Sequence, residues 1–74
     1  MSELMVLDST GDTRLQWNQT NHDEVDAARK RFNELTKKGY AAFKANRSGS
    51  QGEQIDAFDP TAERCILIPP MVGG

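Results

Sequence analysis

The run Cys65-Ile66-Leu67-Ile68 is the most hydrophobic stretch of this 74-residue chain. With Arg64 it has the length of a strand, and its apolar residues do not alternate with polar ones. A strand that is apolar on both faces is typical of a central strand covered from both sides. We therefore expect residues 64–68 to form a buried central strand, with the rest of a sheet built around it.

Six residues with no charged side chain follow this strand: Pro69-Pro70-Met71-Val72-Gly73-Gly74. Prolines hold a segment extended and cannot continue a strand ladder, and two glycines make the end thin. Six extended residues reach about 20 Å, and a terminal carboxylate is ionised at neutral pH. The sequence thus predicts a domain of residues 1–68 and an extended tail of residues 69–74. The tail has the shape of an arm that delivers a carboxylate into a partner's active site. A frayed end without a role is the alternative.

The composition indicates one small domain with a modest core. Nine Lys and Arg against eleven Asp and Glu give a net charge of −2, which argues against a non-specific nucleic-acid binder. A single cysteine cannot form an internal disulfide and suits a reducing compartment. Cys65 lies in the apolar run, so we expect a buried thiol. With no signal peptide or membrane-spanning run, a cytoplasmic protein that binds neither nucleic acid nor membrane is expected.

The first half of the chain predicts a β-hairpin and a helix. Residues 4–7 are an apolar run, residues 8–12 form a turn cluster, and residues 13–17 alternate with Leu15 and Trp17 on one face. Asn21 then starts a helix over residues 23–38 as its N-cap, and Glu24 is placed to return a hydrogen bond to the Asn21 backbone. Gly39 is placed for a left-handed cap at the end of the helix. The apolar face of this helix is Val25, Ala28, Phe32 and Leu35.

The second half predicts three strands. Residues 40–45 alternate as a strand, with Ala41, Phe43 and Ala45 on one face. Residues 46–52 are a loop by composition. Residues 54–58 are a short strand, and Asp59 caps a turn that begins with Pro60. The strand of residues 64–68 is the third of these and leads into the tail.

This order of elements, ββαβββ, indicates an α+β fold with one mixed sheet and one helix across one of its faces. The simplest arrangement places the last strand between the first strand, which it joins in parallel, and a strand from the middle of the chain. That arrangement is a β-grasp. The helix face should then meet sheet residues in the core, which we expect to be Leu15, Trp17, Phe43 and Ile66 or Ile68.

Residues with the potential for catalysis or metal binding are few. His22 is the only histidine and lies in the first turn of the predicted helix, where we expect it exposed. We find no carboxylate pair, metal cluster or nucleophile–base set in the sequence. The prediction is a protein without catalytic residues, metal or cofactor, and therefore not an enzyme.

The chain resembles the ubiquitin-like β-grasp proteins in its length, in its opening from Met5 to Trp17 with the turn Thr10-Gly11-Asp12-Thr13, in its helix position and in its terminal Gly73-Gly74. The tail Ile68-Pro69-Pro70-Met71-Val72-Gly73-Gly74 is most similar to the end of the small subunit of molybdopterin synthase, a sulfur carrier. The approach through Phe58-Asp59-Pro60 is also similar to that family. The chain as a whole also resembles small uncharacterised proteins of bacteriophages and bacteria.

The resemblance implies a carrier or modifier that is activated at its terminal diglycine. An adenylating enzyme would activate Gly74, and a synthase or ligase partner would receive the tail. Gly73 would provide clearance, while Pro69, Pro70, Met71 and Val72 position the end. The alternative is a surface-binding or structural protein, which could be phage-encoded. Its contact would be the sheet face that bears Arg14, Gln16 and Lys44, or an exposed edge strand.

Overall fold

A computed structural model describes residues 1–8, 11–45 and 52–70 of the chain. The described residues form an α+β fold with one helix and one mixed sheet of five strands, as expected. The elements follow one another as β1 Ser2–Asp8, β2 Gly11–Trp17, α1 His22–Lys37, β3 Ala41–Ala45, β4 Glu53–Ile55 and β5 Arg64–Ile68.

The sheet has the strand order β2-β1-β5-β3-β4. The two strands of the predicted hairpin, β1 and β2, pair antiparallel. They extend into the turn predicted over residues 8–12, since Leu7 pairs with Asp12 and Asp8 with Gly11. The strand β5 lies between β1, with which it pairs parallel, and β3, with which it pairs antiparallel. The expected central position of residues 64–68 is therefore confirmed, and β2 and β4 are the two edge strands.

The helix spans His22–Lys37, one residue earlier at each end than the predicted 23–38, and its two caps are the predicted ones. The Asn21 side chain accepts hydrogen bonds from the backbone N–H groups of Asp23 and Glu24, at 3.1 and 3.3 Å. Gly39 has a φ of +99°, the left-handed conformation expected after the last turn. The capping bond predicted for Glu24 is wrong in one respect: its carboxylate accepts from the backbone N–H of Asn18 at 2.7 Å. Glu24 therefore ties the linker before the helix to its first turn.

The core lies between the helix and one face of the sheet. The predicted helix face is buried, and the sheet contributes Trp17 as expected, with Leu15 half-buried beside it. Phe43, Ile66 and Ile68 do not reach this core, so that part of the prediction is wrong. Their places are taken by the buried sheet residues Leu4, Val6, Ala42, Cys65 and Leu67.

The register of the central strands explains the correction. Leu67 lies opposite Val6 on one side and Ala42 on the other, which puts all three on the helix side. Ile66 then lies opposite Phe43 on the other face of the sheet. Only one helix is present among the described residues, and it covers one face. The predicted burial of β5 from both sides is therefore wrong, and Ile68 is 40% exposed.

The segment after β4 departs from its prediction for a packing reason. The strand predicted over residues 54–58 ends at Ile55. Phe58 leaves the sheet edge and packs against Trp17 and Phe32, with ring centroids 5.1 and 5.6 Å apart. The turn predicted at Asp59 is present, because the backbone N–H of Ala62 donates to the Asp59 carbonyl at 3.1 Å. Phe58 thus closes one end of the core where a longer strand would leave it open.

Candidate functional site

The base of the tail emerges from the end of the central strand. Pro69 is half-buried and Pro70 is exposed, directly after Ile68. Pro70 lies beside the C-terminus of the helix. Its ring is 3.6 Å from the position that a Cβ atom would occupy on Gly39. The predicted tail residues Met71, Val72, Gly73 and Gly74 lie outside the described residues. What the structure describes of the tail is therefore its point of departure, at Pro69 and Pro70.

The face of the sheet opposite the helix carries a group of apolar side chains, which we call the open face. No helix or strand among the described residues covers it. Met5, Ile66 and Phe43 lie side by side across three adjacent strands, since Met5 is opposite Ile66 and Ile66 is opposite Phe43. The members of the open face are half-buried except for the more exposed Ile68, and they comprise Met5, Leu7, Ala41, Phe43, Ile66 and Ile68.

A row of charges borders this apolar group. The Glu3 carboxylate lies 3.4 Å from the Arg14 guanidinium and 3.7 Å from that of Arg64. Glu3 has only 15% of its side chain exposed, and its Oε1 atom is buried with no hydrogen-bond partner among the described residues. Arg14, by contrast, is 62% exposed. Two arginines therefore flank the Glu3 carboxylate at this border.

The three residues predicted to share a contact face are divided by the sheet. Arg14 and Gln16 lie opposite Met5 and Glu3, so they are on the open face. Lys44 is opposite Cys65 and therefore points to the helix side. Its ammonium group lies 3.4 Å from a carboxylate oxygen of Asp59 and 3.6 Å from one of Glu53. Lys44 is thus not part of the open face, and that part of the prediction is wrong.

Lys44 lines a shallow cavity of about 330 Å³ at the β4 end of the sheet. Asp59 lies on its wall and accepts hydrogen bonds from the Thr61 hydroxyl at 2.6 Å and the Thr61 backbone N–H at 2.9 Å. These bonds, with Lys44 nearby, hold the pKa of Asp59 below its usual range. Across residues 1–8, 11–45 and 52–70, no cluster of three His, Cys, Asp or Glu residues is placed to hold a metal ion. The contacts of Asp59 stabilise the turn before β5.

Cys65 is buried, as its place in the apolar run predicts. Burial, helped by the charge of Asp59, raises the pKa of the Cys65 thiol to about 11. A nucleophilic cysteine needs a lowered pKa and access to solvent. Cys65 therefore belongs to the core. His22 is exposed at the first position of the helix, also as expected.

A second groove lies between the helix and the edge strand β2, and sequence reasoning did not find it. It has a volume of about 350 Å³. Its floor is apolar, and the helix contributes a charged wall. The small side chain of Ala27 leaves room for a groove and can be read from the sequence. Whether a groove forms there depends on the angle at which the helix crosses the sheet. The groove is lined by Leu4, Val6, Thr13, Arg14, Leu15, Ala27, Lys30, Arg31 and Glu34.

Comparisons with known proteins give no relative for this chain. Within the described part of the chain, no helix has both the length and the hydropathy needed to cross a membrane. No protein-family model matches the sequence, and neither a curated protein nor a solved structure matches it.

Proposed function

We propose that this chain is a β-grasp carrier or modifier protein that is activated at the carboxyl group of Gly74. In this proposal Gly74 is the reacting residue and Gly73 gives it clearance in a narrow active site. The partners are an adenylating enzyme and a synthase or ligase. The protein itself supplies no catalytic group.

One observation carries the proposal: β5 joins the open face to the tail. The half-buried Ile66 and the exposed Ile68 belong to the same central strand that continues into Pro69 and Pro70. An enzyme that docks on the open face would therefore hold the tail by its base. The sheet order, with adjacent parallel first and last strands and one helix across one face, supports a β-grasp assignment.

The proposed chemistry requires a free carboxylate on Gly74. One oxygen of the Gly74 carboxylate attacks the α-phosphorus of ATP, the bond to the bridging oxygen breaks, and pyrophosphate leaves. The resulting acyl-adenylate is a mixed anhydride with AMP as its leaving group. Attack of hydrosulfide on its carbonyl carbon gives a thiocarboxylate, and attack of a cysteine thiolate gives a thioester. The carrier needs only reach and a docking surface, since the enzyme supplies ATP and the nucleophile.

Intact-mass analysis tests this proposal. The chain with an amino-terminal tag is produced in its source organism, purified and weighed, beside a variant that lacks Gly73 and Gly74. The proposal predicts a thiocarboxylate, or a covalent conjugate through Gly74, in the full chain alone. An unmodified Gly74 in cells that express an adenylating enzyme would contradict it.

A second function is favoured by the open face itself. A half-buried apolar row with an exposed arginine beside it is the composition expected of a protein-binding surface. Under this hypothesis the chain is a binding or structural protein, and Gly74 takes part in no reaction. Capture of the same partner by the full chain and by the diglycine-deleted chain, without modification of Gly74, would favour this function over the first.

A further inference from the structure

The outer edge of β2 offers backbone hydrogen-bonding groups beside an apolar groove. β2 is seven residues long and lies at the edge of the sheet, where β1 is its single neighbour among the strands that the structure describes. Edge strands of this length present unpaired N–H and C=O groups on which another strand can add. The groove described above runs between this edge and the helix, so an added strand would have the groove beneath one of its faces.

The floor of the groove suits apolar side chains. Leu4 and Val6 are buried beneath it, and Leu15 is half-buried along its side. Ala27 faces the groove from the helix and is exposed, so its small side chain leaves the space open. A strand places alternate side chains on one face. Every second residue of an added strand would therefore reach this floor.

The wall of the groove favours negative charge. Lys30 and Arg31 of the helix line it together with Glu34. The Glu34 carboxylate lies 3.7 Å from the Arg31 guanidinium, and this ion pair neutralises one of the two cations. No acidic side chain of the described residues forms an ion pair with Lys30, and Lys30 is exposed. One positive charge of the wall is therefore left for a ligand.

We propose that the edge of β2 binds an extended segment of another protein by strand addition, with apolar side chains in the groove and a carboxylate near Lys30. Backbone hydrogen bonds to β2 provide affinity, and the groove selects the side chains. The opposite edge strand, β4, has only three residues, so β2 is the better template. This binding does not depend on the chemistry proposed for Gly74.

The test uses two synthetic peptides and the isotope-labelled full chain. One peptide has seven residues, the length of β2, with Val at its third and fifth positions and Glu at its first and last, all on the face that meets the groove, and with Ser at the positions between. The other has Lys in place of Glu. In amide NMR spectra, the Glu peptide should shift the signals of residues 11–17 and of Ala27. The Lys peptide should bind several-fold more weakly, because its charges meet Lys30.

Two variants and one control sharpen the result. Lys30→Glu should weaken the Glu peptide several-fold and strengthen the Lys peptide. Ala27→Gln keeps a good helix former but fills the groove, so it should abolish binding. Lys38→Glu, at the C-cap of the helix and outside the groove, should leave the affinity for both peptides unchanged.

Three outcomes would overturn the inference. They are an absence of shifts in β2 with either peptide, shifts confined to the open face, and an affinity that is indifferent to the charge of residue 30. Deletion of Gly73 and Gly74 should leave peptide binding unchanged. A failure of the carrier proposal and a failure of this one therefore give different results.

Discussion

The indole Nε1 of Trp17 donates a hydrogen bond to the backbone carbonyl of Pro60 over 3.1 Å, although the two residues are 43 positions apart. Trp17 is buried at the end of β2, and Pro60 is in the turn that leads to β5. The bond therefore ties the opening hairpin to the approach of the central strand. With Phe58 packed on the same indole, it closes one end of the core.

Substitution of this tryptophan should be costly. Trp17→Phe removes the donor, leaves the Pro60 carbonyl without its partner and reduces the packed volume. We expect the free energy of unfolding to fall by about 2–4 kcal/mol. Urea unfolding followed by circular dichroism measures this, because the variant lacks the only tryptophan. Gln16→Ala, on the neighbouring exposed position, should cost less than about 0.5 kcal/mol. Equal effects of the two substitutions would show that the bond to Pro60 contributes little.

The turn at Asp59 should make part of the free energy of unfolding depend on pH in the acidic range. The hydrogen bonds from Thr61, followed by the charge of Lys44, lower the folded-state pKa of Asp59. Its contribution to stability is therefore complete above the unfolded pKa of about 3.9 and is lost as the pH falls through the lower folded value. Asp59→Asn should be less stable at pH 7 by about 1 kcal/mol and should lose less stability on acidification.

Chemical denaturation across a series of pH values from neutral to strongly acidic tests this. Thr61→Val, which removes the hydroxyl donor but keeps the carboxylate, is the companion variant, and its pH dependence should be intermediate. If wild type and Asp59→Asn lost stability in parallel below about pH 4, the turn would not be the source of the acid sensitivity.

The thiol of Cys65 should be unreactive in the folded protein. With a pKa of about 11 and a buried side chain, roughly one molecule in ten thousand carries the thiolate at pH 7. Iodoacetamide should modify the native chain very slowly and the urea-unfolded chain rapidly, as measured by mass spectrometry. Rapid modification without urea would mean that β5 opens readily or that the thiol has a role we have not assigned.

Neighbouring residues of β5 should respond differently to truncation. Leu67 is fully buried on the helix side, so Leu67→Ala should cost about 2–5 kcal/mol. Ile68 is 40% exposed on the open face, and Ile68→Ala should cost less than about 1 kcal/mol. Thermal unfolding of both variants gives the comparison. Similar large losses would indicate that the open face is covered within the chain.

The helix could be predicted from the sequence because its signals are local. Asn21 and Gly39 mark its two ends, and the spacing of Val25, Ala28, Phe32 and Leu35 marks its buried face. None of these depends on where the rest of the chain lies, and all are as predicted.

The inward face of the central strands could not be predicted, because it depends on register. In β3 the sequence favours Phe43 inside and Lys44 outside, but pairing with β5 reverses them. Lys44 can lie on the helix side because it is near the edge of the sheet, where its ammonium group forms ion pairs with Asp59 and Glu53. The small Ala42 takes the core position opposite Leu67.

The candidate site was only partly visible in the sequence for the same reason. The apolar character of Ile66 and Ile68 indicates that they pack against other apolar groups. The sequence alone does not say whether those groups belong to the core of this chain or to a partner protein. The groove beside β2 depends on the crossing of two elements that are distant in sequence.

The most direct test of the central claim is ATP–pyrophosphate exchange catalysed by the adenylating enzyme from the same organism. We predict exchange that depends on the full chain, is abolished by deletion of Gly73 and Gly74, and is strongly reduced by Ile68→Asp on the open face, with Lys38→Glu as an inert control. Circular dichroism of each variant establishes that the fold is kept. Undiminished exchange without the diglycine would contradict the carrier function.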